Sequence, residues 1–321
     1  METLSPGGLP LNAKRSGLKK IIAQIPKNHL LFLGKILGHL LYYLAVPQRR
    51  IVRRNLQFSH IVSSPQQLQS LSKRIFRHFG ITILELIQMT CFSQKELLRN
   101  IHIEGKEILI EALAEQKGVV LIGAHLGNYE MAAQVVPSLL ELQLASVAKK
   151  MRNVQLNRLI HNIRTRFGNK IIYKKGAMPE MMQTLRQGSM VAILMDISRR
   201  FDGVEVNFFG RRATATPAAA LLGLRCKSPI IPAFCHRNPK GELIAQIEPP
   251  VETQRTKDLR FDLQFNTQLI TDRVERAVRN YPEQWNWMLK RWKDFYPDLY
   301  PESEKRLKRI KKKETGGKNN P

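Results

Sequence analysis

Acidic residues are scarce in this 321-residue chain: 26 Asp and Glu stand against 52 Lys and Arg, a formal net charge of +26. A field of that sign favours polyanions, either nucleic acid or a membrane surface rich in anionic lipid. Cysteine is scarcer still. Cys91, Cys226 and Cys235 are odd in number and show no metal-type pairing, so the chain carries no zinc pattern and its thiols read as structural groups in a reducing compartment. Neither a Gly-x-Gly-x-x-Gly fingerprint nor a phosphate loop ending in Gly-Lys-Ser or Gly-Lys-Thr occurs, which leaves nucleotide-dependent chemistry without support.

Long apolar runs are also few. Residues 29–46 form the main one, and as a helix they would cover about 27 Å, marginal for a hydrocarbon core. Asn28, Lys35, His39 and Tyr42 fall on one stripe of that helix, with Leu30, Leu33, Leu37, Leu40, Leu41 and Leu44 around the rest. The pattern fits a helix lying in the membrane interface or packing as an anchor better than a free span, with an ordinary buried helix as the rival. Lys14, Arg15, Lys19, Lys20 and Lys27 precede it and Arg49, Arg50, Arg53 and Arg54 follow, so flanking charge selects no orientation. The run starts late and ends without a small-residue cleavage site, unlike a cleaved signal peptide.

What the chain does have is apolar bulk, 43% of its residues, enough to exclude general disorder. Its organisation reads as a basic arm over 1–28, a membrane-associated or transmembrane helix over 29–46, a main domain over 47–300 and a basic tail over 301–321. Residues 66–100 read as helix, with Ile75, Phe79, Ile83 and Leu86 as a core stripe. Strand-like and helix-like segments then alternate: 118–124 and 130–140; 145–149 and 153–167; 170–174 and 179–187; 189–195 and 216–226; 229–235 and 243–248; and a helix over 258–280. That succession predicts an α/β fold, a mixed and largely parallel sheet flanked by helices.

The first of these strands is the most informative. Residues 118–124 are apolar without alternation, as in a strand covered on both faces, and deliver His125 to its carboxyl end, where open α/β sheets gather ligands. Gly127-Asn128 supplies the turn. A neutral imidazole with a pKa of about 6.5 can take a proton from a hydroxyl, provided its second nitrogen has an orienting partner. Glu130, about one helical turn on, is a candidate for that partner, as in a Ser-His-Asp triad. No serine is adjacent, so the hydroxyl would belong to a substrate. Spacing alone does not discriminate, because His102 and Glu107 repeat it; only His125 has the strand, turn and helix around it.

Four other groups of residues could carry chemistry. Asp196 ends the strand-like segment 189–195 as His125 ends its own, so the two could meet at one sheet edge; a cap is the alternative. Arg211 and Arg212 precede Thr216-Pro217 at a helix start, an arrangement suited to phosphate or carboxylate. Arg152, Arg158, Arg164 and Arg166 punctuate another helix, where the helix dipole alone would favour the last two. Trp285, Trp287 and Trp292, interleaved with Lys290 and Arg291, suit a membrane interface, single-stranded nucleic acid or, since Trp285, Met288, Leu289 and Trp292 would share a helical face, core packing.

Taken together, Arg53-Arg54-Asn55-Leu56, Gly123-Ala124-His125-Leu126-Gly127-Asn128-Tyr129-Glu130, Phe208-Phe209-Gly210 and Pro282-Glu283-Gln284-Trp285-Asn286-Trp287 with Lys290-Arg291-Trp292 resemble the bacterial lipid A biosynthesis acyltransferases of lauroyl and myristoyl type. The histidine block alone would also admit glycerolipid acyltransferases. The resemblance implies an inner-membrane enzyme with its site on the cytoplasmic face. Its donor would be acyl carrier protein or acyl-CoA and its acceptor a phosphorylated glycolipid, with an anionic membrane surface as a further partner. It implies His125 as base with Glu130 as partner, an essential arginine at Arg164 or Arg166, and a later acid at Asp196. Because a thioester is already activated, no cofactor or metal is expected. Two departures stand out: Tyr129 where many members have tryptophan, and Ile197-Ser198-Arg199-Arg200 after Asp196 instead of an acidic, Gly-containing stretch. The rivals are an acyltransferase acting on another glycolipid or phospholipid, a lipid-binding scaffold without turnover and, from a different class, a basic nucleic-acid-binding protein, which the resemblance does not lead one to expect.

Overall fold

Helices come first and the sheet follows. A computed structural model describes residues 17–148, 153–173 and 176–302. Its helical preface comprises α1 (Gly17–Ala23), α2 (Lys27–Leu44), α3 (Val46–Phe58), α4 (Pro65–Met89) and α5 (Gln94–Arg99). Then come β1 (Ile101–Glu104), α6 (Lys106–Ala114), β2 (Val119–Gly123), α7 (Tyr129–Leu139), β3 (Leu144–Ala148), α8 (Val154–Thr165) and β4 (Lys170–Tyr173). The rest is α9 (Ala177–Arg186), β5 (Met190–Leu194), β6 (Val204–Phe208), β7 (Arg211–Ala215), α10 (Ala218–Cys226), β8 (Ile230–Arg237), β9 (Leu243–Ile247) and α11 (Leu259–Asn280).

Seven strands form one sheet in the order β1-β9-β8-β2-β5-β3-β4, with every neighbour parallel except β8 and β9. This is the expected mixed, largely parallel sheet. β2 sits in its middle, and Val119, Val120, Leu121 and Ile122 are buried because helices cover both faces.

Local chemistry corrects three expectations. The helix expected over 66–100 is interrupted: Thr90 folds its hydroxyl onto the Ile87 carbonyl at 2.7 Å, and Ser93 starts α5 with a reciprocal capping box to Glu96. The tryptophan block is not an α-helix, since a 3-10 turn at Pro282–Gln284 leads through a bridge at Trp285 into a series of turns, and all three indoles are at most 1% exposed. They are core, and cannot line a membrane interface or stack on bases. The segment before Thr216 is a β-hairpin, β6 with β7, turned by Phe209 and Gly210 at φ of 56° and 69°, a primed two-residue turn.

The N-terminal helix is bound to the domain. Among the described residues no single helix is long and apolar enough to cross a membrane; α2 and α3 pass that test only as a pair, bent by 92°. α2 lies against α4 with Leu30, Gly34, Gly38 and Tyr42 buried, so Tyr42, expected on the polar stripe, packs edge-on to Phe76 instead. The contact is backbone to backbone: a Cβ on Gly38 would stand 2.2 Å from the Phe76 carbonyl oxygen, and one on Gly80 2.3 Å from that of Gly34. The other face of α2 leaves Phe32, Leu33, Ile36, Leu40, Tyr43 and Leu44 exposed, Leu44 at 76%.

Gly80→Val should therefore force the two helices apart and destabilise the protein by at least the ~1–3 kcal/mol typical of overpacking, read as a lowered midpoint in urea unfolding.

Candidate active site

The register of two neighbouring strands assembles the site. β2 pairs with β5 so that Gly123 faces Leu194, and the Met195 N–H donates to the Gly123 carbonyl at 2.9 Å. Carrying that register two residues further sets His125 beside Asp196. The Asp196 carboxylate accepts from the His125 backbone N–H at 2.7 Å and lies 2.8 Å from the ring Nδ1. It accepts a third bond, 2.8 Å, from the Trp285 indole. Nδ1 therefore carries the proton when the ring is neutral. Nε2 has no partner among the described residues, which leaves its lone pair free.

The loop carrying His125 is held on both sides. The Asn286 N–H donates to the His125 carbonyl and the Gly127 N–H to the Gln284 carbonyl, both at 3.0 Å, so residues 284–286 run antiparallel to 125–127. Gly127 takes φ of 55°, and a Cβ there would stand 2.4 Å from the Cys235 carbonyl oxygen; glycine is required on both counts. Asn128 caps α7, its Oδ1 accepting from Met131, while its amide donates to the buried Glu85 at 3.0 Å. Glu85 also pairs with buried Arg237 at 2.6 Å, and the Arg237 backbone exchanges two hydrogen bonds with the Gln284 side chain.

Glu130 is not the partner of His125. It stands in the first turn of α7 and receives a bidentate grip from Arg164 in the last turn of α8, through Nε at 3.0 Å and through Nη2. Each charge suits its helix end, the two satisfy one another, and no hydrogen bond joins Glu130 to the imidazole ring. The acid that orients the ring comes instead from the neighbouring strand, 71 residues away in sequence.

Arg166, Arg211 and Arg212 do not line the cavity beside His125. Arg166 donates to the Met89 and Thr90 carbonyls at 3.1 and 2.5 Å, tying down the end of α4. Arg211 covers the Phe58 ring and bonds His60; Arg212 pairs with Glu205 at 2.6 Å and covers Phe295. Arg152 lies outside the described residues. His102 is on β1, at the edge of the sheet. Sequence reasoning missed Glu85, Arg237, Gln284 and the Trp285 contact to Asp196. Glu85 alone carried a signal, an acid inside an apolar helical stretch.

A cavity of about 170 Å³ opens at the imidazole. Ile75, Phe79, Ile83 and Leu86 of α4 form its apolar wall with Trp285 and Met288, and Tyr129 and Glu130 lie on the other side. The core stripe of α4 thus also lines the site, Ile75 belonging to the buried core and Leu86 packing against it. Burial lowers the basicity of His125, but the Asp196 charge and hydrogen bond outweigh it and raise the pKa above the ordinary value. Burial likewise favours the neutral acid at Asp196, yet His125 and the other donors hold its carboxyl below the usual range. Both shifts describe one interaction, a carboxylate and an imidazole that each stabilise the other's charged form.

Comparison with known proteins places this arrangement. The model of bacterial lipid A biosynthesis acyltransferases matches residues 16–294. A lipid A biosynthesis acyltransferase of Haemophilus influenzae is 24% identical over 259 residues, 80% of this chain and 78% of its own. The lipid A biosynthesis lauroyltransferase of Escherichia coli is 23% identical over 283 residues, 86% and 89% respectively. A phosphatidylinositol mannoside acyltransferase of Mycobacterium tuberculosis is 22% identical over 214 residues, 65% and 66%.

Asp196→Asn removes the charge that holds the imidazolium, so the His125 pKa should fall relative to the parent protein. A ring-proton NMR titration reads this directly, and an unchanged midpoint would show that Asp196 does not govern the ring.

Proposed function

The chain belongs to the bacterial lipid A biosynthesis acyltransferase family and is an acyltransferase; on that premise we propose that it transfers a fatty acyl group from an acyl thioester to a hydroxyl of a lipid A precursor, with His125 as general base and Asp196 as its orienting acid. The observation that carries the reading is a half-buried imidazole whose unengaged nitrogen meets a mostly apolar cavity. Hydrocarbon belongs against Ile75, Phe79, Ile83 and Leu86, and a hydroxyl brought to Nε2 can lose its proton there.

In this mechanism the acceptor O–H gives its proton to Nε2 as the oxygen attacks the thioester carbonyl. The new imidazolium is stabilised by Asp196. The tetrahedral oxyanion collapses, the C–S bond breaks, and the departing thiolate takes the proton back from Nε2. General-base assistance of this kind contributes about 10²–10⁴-fold. Glu130, neutralised by Arg164, stands on the cavity wall and takes no part in the proton relay. The donor is acyl carrier protein or acyl-CoA; both are anionic, and a +26 chain attracts either one.

Membrane attachment belongs to the same proposal. Phe32, Leu33, Ile36 and Leu40 on the outer face of α2 would enter the interface, with the arginines of α3 at headgroup level. α4 packs on α2 and also walls the cavity, so the element that would sit at the membrane is one helix away from the wall beside His125. We place the protein at the inner membrane with this site on the cytoplasmic face, where the donors are made. A second reading, another glycolipid as acceptor, is favoured by the Mycobacterium relative and by Arg199 and Arg200 after Asp196. Mass spectrometry of lipids from cells with and without the protein separates the two. The nucleic-acid alternative loses its aromatic support, because the indoles are buried.

His125→Ala should lower acyl transfer by about 10²–10⁴-fold, whereas His102→Ala stays within about twofold; a turnover assay with near-normal rates for the first would sink the mechanism. Replacing Phe32, Leu33, Ile36 and Leu40 together by Ser should release the folded protein from anionic vesicles in a flotation assay, and unchanged partitioning would place the anchor elsewhere.

A further inference from the structure

The cavity has a polar corner for which acyl transfer, as derived above, has no use. His78 and Thr82, one turn apart on α4, face the same space as His125, and Glu283 and Asn286 line it from the segment that clamps the His125 loop. Neither the His78 imidazole nor the Glu283 carboxylate has a hydrogen-bond or ion-pair partner among the described residues. Both stand in a wall that is otherwise largely apolar.

Charge and solvation restrict what can fill that corner. Burial, with Arg237, Lys35 and Arg74 adding to it, pushes the His78 pKa down to about 4, so the ring is neutral and offers one N–H donor and one lone pair. A phosphate is disfavoured beside the Glu283 carboxylate. An alkyl chain would desolvate both groups and return no hydrogen bond. An uncharged group that both donates and accepts satisfies the pair: its N–H or O–H goes to Glu283, and its oxygen accepts from His78.

We propose that His78 and Glu283 form a subsite for an uncharged amide- or hydroxyl-bearing portion of a substrate, next to the reacting centre and separate from any phosphate contact. The inference rests on the acyl-transfer reading. Two sources carry that chemistry, the amide-containing arm of the thioester donor and the amide and hydroxyl groups of the glycolipid acceptor.

Steady-state kinetics of the full chain in detergent would test it, with acyl-CoA as donor and a tetraacyl, diphosphorylated glucosamine disaccharide as acceptor. His78→Leu and Glu283→Gln should each raise the KM for one of the two substrates about tenfold, leaving the other KM and the His125-dependent pH limb in place. A rise for acyl-CoA that disappears with a simple alkyl thioester assigns the subsite to the donor; a rise for the disaccharide assigns it to the acceptor. His78→Gln, which keeps a donor and an acceptor, should recover most of the loss. Both KM values within twofold of the parent in variants of unchanged Tm, or a fall in kcat alone, overturn the subsite. Absence of turnover in the parent protein with either acyl-CoA or acyl carrier protein as donor, together with unchanged lipids in cells lacking the protein, overturns the acyl-transfer reading instead.

Discussion

Asp196 is wholly enclosed, and burial alone would favour its neutral form; three donors reverse that preference. The backbone N–H and ring of His125 come from the end of β2, and the indole of Trp285 comes from the C-terminal segment, so a single carboxylate joins three parts of the chain that are distant in sequence. Each of those parts is placed by something else: the β2–β5 register, the left-handed turn at Gly127, and the exchange between Gln284 and Arg237. The carboxylate converts this scaffolding into a defined tautomer, with one ring nitrogen held and the other unengaged.

Around this centre three acids are matched to bases one by one. Asp196 faces His125, Glu130 faces Arg164, and Glu85 faces Arg237. The chain as a whole is strongly basic, yet the charges that position His125 are paired locally. Long-range attraction and local chemistry are thereby separated: the surface field acts on approaching anions, while the imidazole responds mainly to the one carboxylate beside it.

Much of this was readable in the sequence. The apolar run before His125, the turn at Gly127 and the strand ending at Asp196 identified the correct edge of the sheet, because buried strands announce themselves by composition. The pairing of charges was not readable. Glu130 lies closer to His125 in sequence than any other acid, but Arg164 competes for it, and only the strand order reveals that Asp196 is nearer in space. The tryptophan block misled in another way. Helical spacing was assumed where the chain runs through successive turns, so the core role that spacing suggested holds for the indoles while the membrane and nucleic-acid readings do not. The α4 stripe was correctly apolar, yet apolarity does not distinguish a packed face from the wall of a cavity.

Gly34 and Gly38 mesh with Gly80 at backbone distance, flanked by the edge-on packing of Tyr42 against Phe76. Two helices meshed at backbone distance move as one body, so α4 cannot swing away from His125 by itself. Exchange at the cavity then falls to its individual side chains, among them the partly exposed Phe79. Such gates open by rotamer changes in picoseconds to nanoseconds, whereas hinge motions of whole elements take microseconds to milliseconds. On that scale the fold behaves as a rigid frame with a fast door, and entry of a large lipid is set by how often the door is open rather than by rearrangement of the frame.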